Sequence, residues 1–370
     1  MPWSNEDYAE QFDPKGKRET RKIRKILQAK DRSKYKKTDS EKETPDPEIN
    51  QAHKRGRVLS IKSDGIIVDL DGQPYICALR GSLKQEKTKV KNLVTVGDFV
   101  RVIPTDENTG SIVFVEKRYS HLSRAETLTQ KREQLIAANI DQVLITSSVL
   151  LPTLKPTLVD RYIIAAKKGN MEPVILVNKI DLLDNPPAHI DARSIEEEKF
   201  IYDEFCRAYS TLGFPFIKIS TVTGEGIDEL RALMQDKTSV FSGQSGVGKS
   251  TLINTTLGTD LKTGDMVEKT RKGTHTTTSA QLIRLQQGGF CVDTPGIKSF
   301  GIWDIEPENV RLYFPDIHAI GHQCAYPNCS HMHEPGCAVH QALEEGRLSV
   351  LRFDSYSALM TSMEEKHKPR

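Results

Sequence analysis

At 370 residues the chain has length for about two or three cores, and 37% hydrophobic with 28% charged residues excludes a chain disordered throughout. No run approaches the roughly 18 apolar residues of a membrane span, and Met1-Pro2-Trp3-Ser4 does not open a signal peptide, so a cytoplasmic protein without a membrane partner is expected. The net charge of +2 conceals a stretch, Lys15 to Lys37, in which twelve Lys and Arg face only Glu19 and Asp31.

Residues 1–50 are polar and close on Thr44-Pro45-Asp46-Pro47, which reads as a basic, largely disordered arm. Arg18, Arg21, Lys22 and Lys25 fall at helical spacing and suit an arm for RNA, although a charge run is most often a solvated tail.

Within residues 51–117, short apolar runs (Val58 to Ile61, Ile66 to Leu70, Tyr75 to Leu79, Phe99 to Ile103, Ile112 to Val115) are broken by Asp64-Gly65, Asp71-Gly72, Gly97-Asp98 and Thr109-Gly110. Five strands separated by hairpin chemistry predict a small all-β barrel of the OB type. Lys54, Arg55, Arg57, Lys84, Lys87, Lys89 and Lys91 would give it a basic rim for nucleic acid.

Over residues 118–306 buried-type strands alternate with helix-length segments, the pattern of a parallel sheet covered on both faces. Strands are expected at Val143 to Thr146, Val174 to Val177, Phe216 to Ile219, Ser239 to Ser242 and Phe290 to Val292. Helices are expected at Leu158 to Lys168, Ile195 to Thr211, Ile227 to Met234 and Ser250 to Leu257. Residues 307–370 lose the strand signal and should form an α-helical, metal-binding domain with a last helix through Leu348 to Met360.

The segment Gly243-Gln244-Ser245-Gly246-Val247-Gly248-Lys249-Ser250 matches the G-x-x-x-x-G-K-[ST] phosphate loop between a strand and a helix. Gly243, Gly246 and Gly248 let backbone N–H groups close on phosphates, Lys249 neutralises β/γ oxygens, and the Ser250 hydroxyl can ligate magnesium. Thr251 follows in the same turn and joins the nucleotide-binding set.

Asn178-Lys179-Ile180-Asp181 ends the strand Val174 to Val177. An Asp181 carboxylate can accept both N1–H and N2–H of guanine, a donor pair adenine lacks, so GTP and GDP are preferred. Ser220 ends its strand where backbone N–H groups could meet guanine O6, and a plain loop serine is the alternative. Asp293-Thr294-Pro295-Gly296 ends another strand; its carboxylate can hold magnesium through water, and the Gly296 N–H can sense the γ-phosphate. The next residue, Ile297, cannot polarise water, and His275, beside Thr276 and Thr277, is the side chain there that could. Thr276 or Thr277 would supply a second hydroxyl to magnesium.

Asn178 and Ser220 precede Gly243, His275 and Asp293, whereas conventional small GTPases present the phosphate loop first, so the sheet is entered at a different point: a circular permutation. Cys324, Cys329, His331 and Cys337 read C-x4-C-x-H-x5-C, three thiolates and an imidazole for one tetrahedral structural zinc, with His322 and His333 as competing ligands. Cys77, Cys206 and Cys291 lie singly in apolar segments as core thiols.

These residues, in this order, resemble the circularly permuted ribosome-small-subunit-dependent GTPase A family of bacteria over about residues 54–360, where Asn139-Ile140-Asp141-Gln142 and Asp160-Arg161-Tyr162 also fit the family's pattern. The resemblance implies an OB-fold, a permuted α/β P-loop GTPase domain and a C-terminal zinc domain. It implies action late in maturation of the small (30S) ribosomal subunit, contact with its rRNA, and hydrolysis of GTP to GDP and phosphate stimulated by the particle. Ile297 is similar to the family's own substitution, and the family's catalytic candidate falls on His275. A monomer without a DNA partner is expected. A non-catalytic GTP-binding RNA-binding protein, or an ATP-dependent kinase, are the alternative readings.

Overall fold

The computed structural model describes residues 53–81, 93–127, 130–257, 280–293 and 305–367, with side chains described outside 124–134 and 364–367. The basic arm and Lys84, Lys87, Lys89 and Lys91 lie outside the described residues.

Five strands make the barrel: β1 (Lys54–Lys62), β2 (Gly65–Leu70), β3 (Gln73–Leu79), β4 (Phe99–Asp106) and β5 (Thr109–Val115). β1, β2 and β3 form an antiparallel meander; the β2–β3 turn places Asp71 (φ 54°) and Gly72 (φ 88°) in the left-handed region that Asp-Gly hairpins use. β5 runs parallel to β3 and antiparallel to β4, and β4 closes onto β1. Alternation puts Val58, Val68, Leu70, Val100, Val102 and Ile112 inside. Two rim arginines have other duties. Arg55 pairs with Glu116, and Arg57 lies close to the rings of Phe99 (4.9 Å) and Phe290 (4.7 Å) while donating to the Asn139 carbonyl at 2.8 Å.

A hairpin of β6 (His121–Thr127) and β7 (Gln130–Ala138), which the sequence pattern did not suggest, follows the barrel. The next strands are β8 (Gln142–Ser148), β9 (Glu172–Asn178), β10 (Phe216–Ile219), β11 (Thr238–Ser242), β12 (Gln281–Arg284) and β13 (Phe290–Asp293). They lie in the order β10-β9-β8-β11-β13-β12, parallel except for β12. Ser60 of β1 pairs with Gln281 of β12, and Arg284 salt-bridges Asp69, which joins the barrel to the edge of this sheet.

Helices α1 (Pro156–Lys168), α2 (Ala192–Tyr209), α3 (Ile227–Met234) and α4 (Lys249–Leu257) connect the parallel strands. Proline at the first turn of α1 loses no intrahelical bond, and Lys167 and Lys168 complement its C-terminal dipole. The Asp191 carboxylate caps α2 by accepting from the Ser194 N–H at 3.0 Å. On α1, Val159, Tyr162, Ile163 and Ala166 recur at helical spacing and enter the sheet core, whereas Ile164 enters a second core below the C-terminal segment. That segment contains a 3₁₀ turn (Pro307–Tyr313), α5 (Pro315–Gly321), α6 (Ala338–Glu344) and α7 (Val350–His367), packed around Phe314, Ile317, Val339 and Tyr356. No described helix is long and apolar enough to cross a membrane.

Candidate active site and metal centre

The carboxyl ends of β9, β11 and β13 bring Asn178, the phosphate loop and Asp293 to one edge of the sheet, where open α/β sheets bind ligands. The loop's glycines are required by contact. A Cβ on Gly243 would stand 2.0 Å from the Thr146 carbonyl oxygen, and one on Gly248 would stand 2.4 Å from Asn178 Nδ2, with φ values of 148° and 96°. Through that space Asn178 Nδ2 donates to the Val247 carbonyl at 2.8 Å, and its Oδ1 is buried without a hydrogen-bond partner. The Asn178 turn and the glycine-rich loop are thereby fastened directly to each other.

Lys179 adopts the left-handed conformation (φ 62°) and reaches back to the Gly246 carbonyl at 2.7 Å and to the carbonyl of Leu151. Lys249 Nζ bridges the carbonyls of Gly243 (2.8 Å) and Gln244 (2.7 Å), and burial holds its pKa below the usual lysine value. An arriving polyphosphate would offer this ammonium stronger, charged acceptors. Ser250 and Thr251 are exposed at the start of α4. Asp293 is half-buried, and Gln281 Nε2 donates to its Oδ2 at 3.4 Å.

Ser220 is fully buried, and its Oγ donates to Asp181 Oδ1 at 2.6 Å while accepting the N–H groups of Val222 and Thr223 at 3.1 Å each. Its hydroxyl thereby orients the Asp181 carboxylate. His275, Thr276, Thr277, Gly296 and Ile297 lie outside the described residues.

In the C-terminal segment the ligand atoms of Cys324, Cys329, His331 and Cys337 lie within 4.8 Å of one another. His331 Nδ1 stands 3.5 Å from the sulfurs of both Cys324 and Cys337, which are 3.9 Å apart, the spacing around a tetrahedral zinc with Zn–S near roughly 2.3 Å. The donor set fits zinc. His322 and His333 are not in the cluster; His322 instead meets His318 edge to face at 4.7 Å. Burial pushes the Cys329 thiol up to about 12. Glu334 shapes the loop: burial would raise its carboxyl, but N–H groups led by that of Ser330, at 2.6 Å, pull it down to about 2.

The family model described as RsgA GTPase matches residues 115–303. The chain belongs to the RsgA GTPase family. It is therefore a GTPase with the circularly permuted sheet. Among the RsgA relatives, a small ribosomal subunit biogenesis GTPase of Chlorobaculum parvum is 42% identical over 304 residues, covering 80% of this chain and 93% of the relative. One of the same name from Bacteroides fragilis is 37% identical over 296 residues, covering 80% and 92%. The crystal structure of YjeQ from Thermotoga maritima superposes with a TM-score of 0.65 at 31% identity, covering 86% of this chain and 100% of that one. YloQ, a circularly permuted GTPase, gives 0.64 at 26% identity, covering 86% and 98%.

Two segments that carried the resemblance to the RsgA family have structural duties here. Asn139 (φ 54°) donates from Nδ2 to the Gly97 carbonyl of the barrel side and accepts the Tyr119 N–H, while Gln142 donates to Ser239 Oγ at 2.9 Å. Asp160 meets Arg352 of α7, a contact no sequence signal announced because its partner lies 192 residues away. Sequence reasoning also passed over His340, whose Nε2 lies 2.9 Å from the His331 carbonyl and steadies the loop of the Cys and His cluster. Of the three lone thiols, Cys77 and Cys291 are buried, but Cys206 is only half-buried.

Proposed function

We propose that this GTPase binds the small ribosomal subunit late in its assembly, hydrolyses GTP to GDP and phosphate on that particle, and leaves in the GDP state. The observation that carries the reading is the bond from Asn178 Nδ2 to the Val247 carbonyl, which unites a guanine-reading element with a phosphate loop in a chain whose relatives are named small ribosomal subunit biogenesis GTPases. The barrel, the C-terminal segment and the arm of residues 1–50 are the surfaces for rRNA, and the protein works as a monomer. Functional boundaries are set at 1–50, 51–117, 118–306 and 307–370.

Asp181 and Asn178 select guanine, with Ser220 holding Asp181 in place. Backbone N–H groups of Gly246, Gly248, Lys249, Ser250 and Thr251 cradle the phosphates, and Lys249 neutralises charge as the γ-phosphoryl departs from the β-oxygen. Ser250 and Thr276, with Asp293, would hold magnesium, which would supply neutralisation of the phosphate charge. His275 orients the attacking water in place of the glutamine that Ile297 replaces, and Gly296 senses the γ-phosphate. One zinc on Cys324, Cys329, His331 and Cys337 fixes the C-terminal segment.

The test is GTP turnover with and without purified small subunits, with ATP as competitor. Stimulation by the particle that ATP does not block is expected, and His275→Ala should lower the stimulated rate by roughly 10²-fold while sparing GDP affinity. Absence of stimulation would sink the reading.

A further inference from the structure

Helix α1 touches neither base nor phosphate in the assignments above, yet it carries a buried polar side chain on each of two faces. Asp160 and Tyr162 are two residues apart, so they project about 200° apart around the helix. Tyr162, 2% exposed, brings its hydroxyl close enough to interact with the side chain of Ser242, the last residue before Gly243. It also lines, with Gln244, Val247, Thr153 and Lys155, a cavity of about 10 Å³ beside the phosphate loop. The loop leading into α1 reaches the same place, because Leu151 offers its carbonyl to Lys179 and Pro152 Cδ lies 3.5 Å from the position of a Cβ on Gly246.

On the other face, Asp160 receives hydrogen bonds from Tyr209 Oη at 2.5 Å and from the Arg352 guanidinium. Arg352 is itself fixed by Asp316 at 2.8 and 3.0 Å, and Ile164, one turn beyond Asp160, packs into the core of the metal-binding segment. The rotation of α1 is thus set from two sides at once.

We propose that Tyr162 is a positioning residue of the phosphate loop, and that Arg352 of the metal-binding segment holds it there through Asp160 and the body of α1. The proposal rests on the nucleotide-site reading given above. It gives the C-terminal segment a route to the nucleotide through the body of α1.

The experiment is equilibrium titration of a fluorescent GDP on zinc-loaded, full-length protein for Tyr162→Phe, Arg352→Lys, their combination and Lys249→Ala, with unfolding midpoints and zinc content recorded. Tyr162→Phe removes one hydroxyl and should weaken GDP by about threefold to tenfold, the worth of one hydrogen bond, with zinc content near wild type. Arg352→Lys should weaken GDP comparably, and the double variant should be no weaker than the stronger single one, because both act on the same helix. Asp316→Asn replaces Arg352→Lys if the latter does not fold. Wild-type GDP affinity in Tyr162→Phe overturns the positioning role. An Arg352→Lys protein with a lowered midpoint but unchanged affinity, or effects that simply add, overturns the link to Arg352. Lys249→Ala separates the two levels, since undiminished affinity there would remove the nucleotide-site reading itself.

Discussion

Arg352 and Asp160 form an ion pair whose side chains are only 2% and 4% exposed, between a helix of the GTPase sheet and the last helix of the segment that carries the Cys324, Cys329, His331 and Cys337 cluster. The guanidinium lies over the rings of Tyr209 (5.0 Å) and Phe314 (4.7 Å) while its N–H groups are hydrogen-bonded to Asp160 and Asp316. Burial alone would lower its pKa, but Asp160 and Asp316 reverse that and raise it. Such a pair fixes how two segments meet more than it adds to stability, because two charges had to leave water to make it.

Truncating one partner and replacing both should therefore differ sharply. Arg352→Ala leaves the Asp160 carboxylate buried beside Tyr209 and should cost roughly 3–5 kcal/mol of unfolding free energy. Asp160→Leu with Arg352→Met removes both charges, and Asp316, partly solvated at 22% exposure, tolerates the loss of its partner. The double variant should be more stable than Arg352→Ala in urea unfolding. Equal losses would mean that packing, not the pair, carries the contact.

The six thiols should divide by cause of protection. Burial pushes Cys291 to about 12 and Cys77 to about 11, so native protein at pH 8 holds almost no thiolate at either position. The sign follows from linkage. A thiol whose folded pKa is raised stabilises the fold fully below the ordinary value near 9, and that contribution is lost as pH rises toward about 12 for Cys291. Iodoacetamide labelling read by mass spectrometry should mark Cys206 first, mark Cys324, Cys329 and Cys337 only after a chelator removes zinc, and reach Cys77 and Cys291 only with denaturant. Labelling of the cluster cysteines without a chelator would count against a resident metal.

Much of this was legible because short motifs are written in contiguous sequence. The phosphate loop, Asn178 to Asp181 and the C-x4-C-x-H-x5-C spacing each put their chemistry within a few residues, and the permuted order could be read from their succession alone. The parallel strands showed as unbroken apolar runs, since both of their faces are covered. By contrast β6 and β7 carry Arg124, Glu126, Lys131, Arg132 and Glu133, which hide any apolar alternation, and β12 is only four residues long. Arg57 looks like any basic rim residue until the fold brings Phe290 against it from 233 positions away in the sequence. The Asp160 to Arg352 pair has the same character: a long-range partner leaves no local pattern.

Gly248→Ala should disable the site while sparing the fold. The new Cβ would meet Asn178 Nδ2 at 2.4 Å in a backbone conformation (φ 96°) that non-glycine residues rarely adopt. Either Asn178 yields its bond to Val247 or the loop shifts, and both outcomes separate base site from phosphate site. GDP affinity should fall by on the order of 10²-fold, for roughly 2–3 kcal/mol of combined strain and lost bonding, in fluorescence titration with an unaltered circular dichroism spectrum. Affinity within twofold of wild type would show that the close approach is not needed for binding.

Guanine preference should pass through the hydroxyl of Ser220. That oxygen already accepts two N–H groups, from Val222 and Thr223, so its own proton must go to Asp181 Oδ1, and the other carboxylate oxygen is left to accept from the base. In Asp181→Asn the Ser220 proton still demands an acceptor and holds the amide with its carbonyl oxygen toward Ser220. The amide NH₂ then takes the position that faces the base. Guanine presents N1–H and N2–H there, donor against donor, whereas xanthine presents O2 as an acceptor. GTP affinity should fall by roughly 10- to 100-fold, and xanthosine triphosphate should compete where it does not in wild type. Ser220→Ala removes the constraint that fixes the amide, so adding it to Asp181→Asn should let the amide turn and recover part of the GTP affinity. Competition titrations of GTP against xanthosine triphosphate on the wild type, Asp181→Asn and the double variant measure this directly. An unchanged GTP preference in Asp181→Asn would place guanine recognition elsewhere.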